Sequence, residues 1–259
     1  MWTSPGPIAI QLGPLAIRWY GVLMATAMAL GLWLAYREAH RRDLDPEEML
    51  KAAELSLLGA LVGARLYYVA FNLDYYTQFP QKIIAVWEGG LAIHGGLLGG
   101  LALGGWYTWR KRLPFLTYLD IVAPSLALGQ AIGRWGNFFN EEAFGTPTTL
   151  PWKLYISPPH RPLAYAQYDF FHPTFLYESL WDFLVFLLLM GLFRRRLQRA
   201  PAALFLVYVG LYSLGRFFTE ALRTDSLMLG PIRVAQLISV IGMVVAVIFV
   251  PILLRRSRA

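Results

Sequence analysis

Seven mostly apolar stretches alternate with polar segments along the chain. Each stretch is about 20 residues long, which is the length that a helix needs to cross the hydrocarbon core of a bilayer. The stretches lie near residues 17–36, 52–71, 90–109, 116–135, 173–193, 202–222 and 234–254. The pattern predicts an all-α polytopic membrane protein with about seven transmembrane helices. We expect residues 1–259 to form a single integral membrane domain.

Composition supports burial in lipid and limits the chemistry. The chain is 57% hydrophobic and 15% charged, whereas soluble domains carry about 25% charged residues. It has no cysteine, which excludes disulfides, thiolate metal sites and a cysteine nucleophile. A thiol that reacts here must therefore come from a partner molecule. We expect no metal and no cofactor.

Basic residues gather in every second polar segment. This set is Arg37, Arg41, Arg42, Lys51, Arg110, Lys111, Arg112, Arg194, Arg195, Arg196, Arg199, Arg255, Arg256 and Arg258. Basic loops remain cytoplasmic, so we predict an outer N-terminus and a cytoplasmic C-terminus. A net charge of +7 in such short clusters indicates contact with anionic lipid headgroups rather than with nucleic acid.

The longest segment between predicted spans covers residues 140–172 and is rich in proline and aromatic residues. It is too long for a simple loop and too apolar for a disordered linker. We predict a small extracytoplasmic head, inserted between the fourth and fifth spans. We also expect the functional site to face the outer side and the protein to be a monomer.

Ionisable residues inside predicted spans mark candidate sites, because each costs several kcal/mol unless it is paired or hydrated. They are Arg65, His94, Asp120, Arg134, Glu178, Asp182, Arg216 and Glu220. Four polar residues also share one face of the sixth span by their spacing, namely Tyr212, Arg216, Glu220 and Arg223. This face indicates either an ion pair that holds helices together or an anion site in which Glu220 positions Arg216.

The fourth span ends in a second polar group. Gln130, Arg134 and Asn137 share a face, and Asn140 and Glu142 follow. Arg134 snorkelling to the interface would explain one arginine, but it would not explain the neighbouring amides and carboxylates.

The third span is rich in glycine, and its four-residue glycine spacing predicts close helix packing. His94 lies among these glycines. It serves either as an interhelical hydrogen-bonding group or as a proton acceptor near neutral pH. Arg65 suits a carboxylate or a lipid headgroup, and Tyr20 suits an interfacial anchor.

Six motifs in this order resemble the prolipoprotein diacylglyceryl transferase family. The most specific is GRWGNFFNEEAFG, which is similar to the family signature Gly-Arg-x-Gly-Asn-Phe-x-Asn-x-Glu. The others are RWYG, GARLYY, GGLAIHGGLLGG, HPTFLYE and GRFFTEALR. Apart from Gly145, which ends the first motif, the residues from 145 to 169 match none of these motifs.

This resemblance implies an enzyme of the bacterial cytoplasmic (inner) membrane. Such an enzyme transfers the diacylglyceryl group of phosphatidylglycerol to the cysteine thiol in the lipobox of a prolipoprotein signal segment. The products are a thioether-linked precursor and glycerol phosphate. By resemblance, the functional positions are Arg134, Asn137, Glu142, Gly145, Arg216, Glu220, His94 and Tyr20.

The reaction requires a thiolate and a stabilised phosphate leaving group. We expect His94, Arg134 and Arg216 to be catalytic, with both guanidinium groups on the phosphate. The expected substrate-binding residues are Tyr20, Arg65, Asn137, Asn140, Glu142, Gly145, Tyr212, Glu220 and Arg223. His94 is the leading candidate for the base. Tyr212 is less suitable because of its high ordinary pKa, and the arginines alone could acidify the thiol.

Three other functions fit parts of the pattern. A transporter or channel for an organic anion also needs intramembrane arginines, but the sequence has no internal repeat. A phosphatidyl alcohol transferase would carry an aspartate-rich metal motif, which is missing from the sequence. A membrane scaffold would not need so many polar groups inside its spans.

Overall fold

The computed structural model describes residues 1–257. Arg258, which was part of the basic set, lies outside the described residues. The chain divides into two compact units. One comprises Met1–Leu34 and the described chain from Leu119 onward, and the other comprises Ala35–Tyr118. We describe each unit by itself.

The unit Ala35–Tyr118 contains two long helices and the segment that joins them. Helix α2 spans Pro46–Ala70 and α4 spans Ile93–Arg110. Between them lie the short helix α3 (Leu73–Gln78) and two 3-10 turns, Pro80–Ile84 and Val86–Glu88. Helix α2 begins where the Asp45 side chain accepts hydrogen bonds from the amides of Glu47 and Glu48, which satisfies two donors of its first turn.

Glycines let α2 and α4 come into backbone contact. A Cβ atom on Gly95 would collide with the Gly63 carbonyl oxygen, and one on Gly99 would collide with that of Gly59. The close packing that the glycine spacing predicted is therefore confirmed, because a larger side chain at these positions would force the helices apart.

The other long helices are α1 (Trp19–Arg41), α5 (Phe115–Asn140), α6 (Thr174–Leu188), α8 (Ala203–Glu220) and α9 (Val234–Arg256). A π-helical turn, Leu189–Phe193, joins α6 to the short helix α7 at Arg194–Arg196. Each of the seven predicted spans coincides with one long helix. Within residues 1–257, four helices are long and apolar enough to cross a membrane: Trp19–Arg41, Phe115–Asn140, Thr174–Arg196 and Val234–Arg256. The protein is thus mostly helical, as expected of a polytopic membrane protein.

The described part of the chain also contains seven short strands, which correct the all-α prediction. The parallel pair β1 (Trp2–Thr3) and β4 (Leu154–Tyr155) is extended by β5 (Phe170–Phe171), which is antiparallel to β4. Two hairpins supply the rest, β2 (Ile8–Leu12) with β3 (Leu15–Arg18), and β6 (Met228–Leu229) with β7 (Ile232–Arg233).

The segment between α5 and α6 is folded around a small apolar core. Phe138 and Phe175, from the two helices, join Phe144, Leu154, Ile156 and Phe171 in one buried cluster. Helix α5 continues to Asn140, so the predicted boundary of the fourth span at residue 135 was too early. This core fixes the chain that follows Arg134 against the start of α6.

Candidate active site

Three helices of the first unit carry the predicted arginines and the carboxylates that pair with them. Arg134 lies near the end of α5, Arg216 near the end of α8, and Glu178 in the second turn of α6. Glu178 is 5% exposed, so its charge requires close partners.

Glu178 bridges the two arginines. Its Oε2 lies 2.7 Å from Arg134 Nε, and its Oε1 accepts a hydrogen bond of 2.5 Å from Arg216 Nη1. The Thr219 hydroxyl donates a further hydrogen bond of 3.1 Å to Oε1. We call Arg134, Glu178 and Arg216 the Arg–Glu–Arg cluster. It brings two guanidinium groups from different helices to one anionic group.

Additional carboxylates hold the arginines in place. Arg216 Nη2 lies 2.6 Å from Glu220 Oε2, so the pairing predicted from their four-residue spacing is confirmed. Arg134 Nε lies 3.9 Å from Asp182 Oδ2. Tyr212 adjoins the Arg134 guanidinium, which places a residue of the predicted α8 face beside the α5 arginine.

Arg223 is positioned at the edge of the cluster. Its Nε and Nη2 donate to the Asp225 carboxylate at 2.8 and 2.6 Å, while Nη1 lies 3.9 Å from Glu178 Oε1. Arg223 is therefore paired mainly with Asp225 rather than with Glu178. Burial raises the pKa of the Asp225 carboxyl, but the hydrogen bonds and charge of Arg223 outweigh burial and hold that pKa below its ordinary value.

Gly145 lies where three parts of the chain converge. Its amide donates to the His172 carbonyl at 2.9 Å, and its backbone forms an isolated antiparallel β-bridge with that of Arg223. A Cβ atom here would lie 2.7 Å from the His172 Cβ and 3.1 Å from the Leu222 carbonyl oxygen. The signature glycine is therefore explained by close backbone packing between the α5–α6 segment and the end of α8.

The amides of the signature bind a different carboxylate from the arginines. The side chains of Asn137 and Asn140 donate to Glu142 Oε1 at 2.9 and 3.3 Å. Glu142 therefore contacts these asparagines, whereas Arg134 is held by Glu178.

A polar cleft of about 550 Å³ opens beside these residues. Its polar lining consists of Arg18, Asn140, Glu141, Glu142, His160, Thr224 and Asp225. Glu141 Oε2 accepts from the Ser157 amide at 2.9 Å and lies 2.9 Å from His160 Nδ1. Burial opposes ionisation of Glu141, but its contacts with Ser157 and His160 outweigh burial and hold its pKa below the ordinary value.

The HPTFLYE motif contributes a hydrogen-bonded pair as well as Glu178. His172 Nδ1 lies 3.2 Å from the Tyr177 hydroxyl, which accepts a 2.9 Å hydrogen bond from Trp152 Nε1. Burial lowers the pKa of His172, so its imidazole is neutral near pH 7.

Tyr20 packs against the signature helix. Its ring occupies the space that a side chain at position 136 would need. Because residue 136 is glycine, the Tyr20 ring can lie on the backbone of α5. Trp19 stacks on Phe139 with ring centroids 4.8 Å apart. These contacts explain the RWYG motif as packing beside Arg134 and Asn137.

Arg65, predicted to bind substrate, has a structural role in the unit Ala35–Tyr118. It is 6% exposed and donates to the carbonyls of Lys82, Ile83, Gly89 and Gly90 at 2.5 to 2.9 Å. Four hydrogen bonds leave its five N–H donors almost fully used. We therefore exclude Arg65 from the candidate lipid site, because it fastens the α2–α4 connection.

His94 also lies in the unit Ala35–Tyr118. It is the second residue of α4 and is exposed, with its ring centroid 6.2 Å from that of Tyr67. It thus lies in the first turn of α4.

The central position of Glu178 was not predicted from the sequence. Its signal was present, since a carboxylate in an apolar stretch implies a partner, but periodicity cannot pair residues on different helices. Within residues 1–257, no group of three or more histidine, aspartate and glutamate side chains is arranged to hold a metal ion.

Comparisons with known proteins agree with the motifs. A profile of the family described as prolipoprotein diacylglyceryl transferase matches residues 7–252. A phosphatidylglycerol–prolipoprotein diacylglyceryl transferase of Synechococcus elongatus is 54% identical, over 95% of this chain and 87% of the relative.

Two further relatives have the same name. Those of Trichormus variabilis and Nostoc sp. are each 52% identical, over 93% of this chain and 87% of the relative. The family resemblance drawn from the six motifs is confirmed. The chain belongs to the prolipoprotein diacylglyceryl transferase family.

Proposed function

We propose that this protein transfers the sn-1,2-diacylglyceryl group of phosphatidylglycerol to the lipobox cysteine of prolipoproteins. Family membership and the names of relatives at about 52% identity support this activity. The single observation that carries the mechanism is the convergence of Arg134 and Arg216 on Glu178.

The chemical step is a displacement at carbon. The thiolate sulfur of the lipobox cysteine attacks the carbon of the diacylglyceryl group that is bonded to a phosphate oxygen. A C–S bond forms as this C–O bond breaks. The electron pair of that bond passes to the departing oxygen, so the phosphodiester becomes the more highly charged monoester of glycerol phosphate. A site that binds this extra charge tightly lowers the barrier.

The Arg–Glu–Arg cluster supports a phosphate position beside Glu178, within reach of both guanidinium groups. Arg134 meets its carboxylate partners through Nε, and its two terminal nitrogens carry four further donors. Glu178 keeps both groups oriented before the lipid arrives, which reduces the cost of assembling the site. Loss of one such donor commonly costs about 3–4 kcal/mol in transition-state stabilisation.

The neighbouring polar residues supply candidates for binding the glycerol headgroup. Asn137, Asn140 and Glu142 form a hydrogen-bonded group at the polar cleft, and glycerol hydroxyls can donate to a carboxylate and accept from an amide. The thiol proton goes to a base. His94 remains the leading candidate, Tyr212 is the second, and acidification by the arginines is the third.

The proposed topology has seven spans, with the N-terminus outside and the C-terminus in the cytoplasm. The seven long helices and the alternating basic clusters support it. In this topology the α5–α6 segment forms an extracytoplasmic head, and the site lies toward the outer face of the bacterial inner membrane. We further propose that the protein works as a monomer and does not bind nucleic acid.

The direct test incubates purified protein with phosphatidylglycerol and a lipobox peptide, followed by mass measurement of the peptide. The expected result is a mass gain of one diacylglyceryl group. Transport of an organic anion into vesicles without any such gain would favour the transporter.

Arginine variants then test the site. We expect Arg134→Ala or Arg216→Ala to reduce transfer about 100- to 1000-fold. Arg255→Ala is the matched control, because Arg255 lies in the last turn of α9, and it should retain transfer. Near-normal turnover in a folded Arg134→Ala or Arg216→Ala protein would reject the phosphate role.

A further inference from the structure

A second cleft, of about 1040 Å³, lies within the unit Ala35–Tyr118, where α4 ends and the chain turns toward Phe115. Leu101, Trp109, Leu113 and Phe115 form apolar walls, and Arg110 and Arg112 line the same space. We call it the basic cleft. Its residues are separate from those of the Arg–Glu–Arg cluster, and the proposed reaction gives it no role.

The two arginines of the basic cleft are not neutralised by the nearby carboxylate. Glu48 accepts from the Tyr107 hydroxyl at 2.7 Å, and it pairs with Lys51 at 3.4 Å and Lys111 at 3.5 Å. In the described part of the chain, neither Arg110 nor Arg112 lies within ion-pair distance of a carboxylate. Both side chains are exposed, so they are available to an external anion.

We propose that the basic cleft binds one anionic glycerophospholipid. Its phosphate lies between Arg110 and Arg112, and an acyl chain lies along Leu101, Trp109 and Phe115. Guanidinium groups grip phosphate oxygens in pairs, and the apolar walls favour a lipid over free phosphate, which would leave them in water.

The position of the cleft along α4 agrees with this occupant. Tryptophan and arginine are typical of the boundary between hydrocarbon and headgroups, and Trp109 and Arg110 are the last two residues of α4. Under the proposed topology this end is cytoplasmic, so the bound lipid belongs to the inner leaflet.

Photolabelling tests the site directly. Full-length protein in vesicles is exposed to phosphatidylglycerol with a photoactivatable acyl chain, and labelled residues are mapped by mass spectrometry. We expect saturable labelling within residues 101–115. Since each arginine near an anionic lipid contributes about 1 kcal/mol, the double variant Arg110→Gln with Arg112→Gln should raise the half-saturating lipid concentration about 30-fold.

The matched control removes the same charge elsewhere. Arg255→Gln with Arg256→Gln, in the last turn of α9, should leave labelling of residues 101–115 unchanged. Equal losses in both double variants would mean diffuse attraction to the bilayer and would overturn the proposal. Equal labelling by a phosphatidylcholine probe would likewise overturn it.

A third variant tests the acyl position without changing charge. A Cβ on Gly105 would contact only Phe115, at an ordinary 3.8 Å, so Gly105→Leu should fill the cleft with little strain. We expect it to abolish phosphatidylglycerol labelling of the cleft while both arginines remain. Full labelling in this variant would show that the lipid does not enter the cleft.

Discussion

At the scale of single residues, Glu178 holds the guanidinium groups of Arg134 and Arg216 in place. It is a buried carboxylate whose two oxygens contact arginines from two helices. Removal of one member of a buried ion pair commonly costs about 3–5 kcal/mol, because the remaining charge is left without its partner. We therefore propose that Glu178 is a positioning residue, which acts through the arginines rather than on the lipid itself.

The variant Glu178→Gln tests this role. A neutral amide cannot balance two guanidinium groups, so we expect a lower melting temperature and a drop in transfer of at least about 100-fold. Glu88→Gln is the matched control, because Glu88 pairs with Lys82 on an exposed surface, where ion pairs contribute little. An unchanged rate and melting temperature for Glu178→Gln would remove it from the site.

Glu141 makes the polar cleft sensitive to acid. Its pKa in the folded protein is below the ordinary value of 4.5, so its contribution to stability is complete above about pH 4.5 and is lost as pH falls through the folded pKa. We expect the melting temperature of wild-type protein to fall in this range more steeply than that of Glu141→Gln. If the melting temperatures of the two proteins changed in parallel with pH, Glu141 would not be the source of the acid sensitivity.

One ion pair of the candidate site could be predicted at the residue scale, because both of its partners lie on one helix. The spacing of Arg216 and Glu220 was sufficient to pair them. The fastening role of Arg65 was not predictable, since its partners are backbone carbonyls that a sequence does not distinguish. The contact between Arg134 and Glu178 depends on how α5 packs against α6, which no local pattern encodes.

At the scale of helices, close packing and capping stabilise each of the two units internally. Gly95 of α4 is in contact with Gly63 of α2, whereas Gly129 of α5 has no atom within 4 Å of a Cβ position. Two alanine substitutions should therefore have opposite outcomes.

We expect Gly95→Ala to lower stability by at least about 1–3 kcal/mol, because the obstacle is backbone that cannot rotate away. Gly129→Ala, the control, should be neutral or stabilising by up to about 1 kcal/mol, since alanine favours helix. Thermal unfolding in detergent measures both. Equal melting temperatures would mean that α2 and α4 are not in backbone contact.

Asp120 explains another charge that the sequence placed inside a span. It is fully buried, and its carboxylate accepts from the amides of Ala202 and Phe205 at 2.9 Å each, so it caps the start of α8. We expect Asp120→Ala to cost about 1–3 kcal/mol, because buried donors lose their acceptor. Asp120→Asn should retain part of that stability, and an undiminished melting temperature of Asp120→Ala would contradict the capping role.

The long helices were predictable because apolar runs of about 20 residues are a strong signal. The short strands were not, since a two-residue strand such as Leu154–Tyr155 is too short to show alternation. They form through pairing between distant parts of the chain, as β1 with β4.

At the scale of the whole molecule, the proposed topology can be tested cleanly because the chain has no cysteine. Leu163, in the α5–α6 segment, is 96% exposed, and Arg199 lies in a predicted cytoplasmic cluster. A membrane-impermeant maleimide added to intact cells should label Leu163→Cys but not Arg199→Cys. The reverse pattern would invert the topology and place the site on the cytoplasmic face.

The proposed mechanism requires that Arg134 and Arg216 bind one lipid phosphate together. Solid-state NMR of protein with labelled arginine side chains and bound phosphatidylglycerol measures the distance from each guanidinium carbon to phosphorus. We expect two carbons at about 4 Å, the separation of a direct guanidinium–phosphate pair. Arg134→Lys and Arg216→Lys should each remove one of them. A phosphorus near only one of these arginines, or near neither, would contradict the proposed phosphate position.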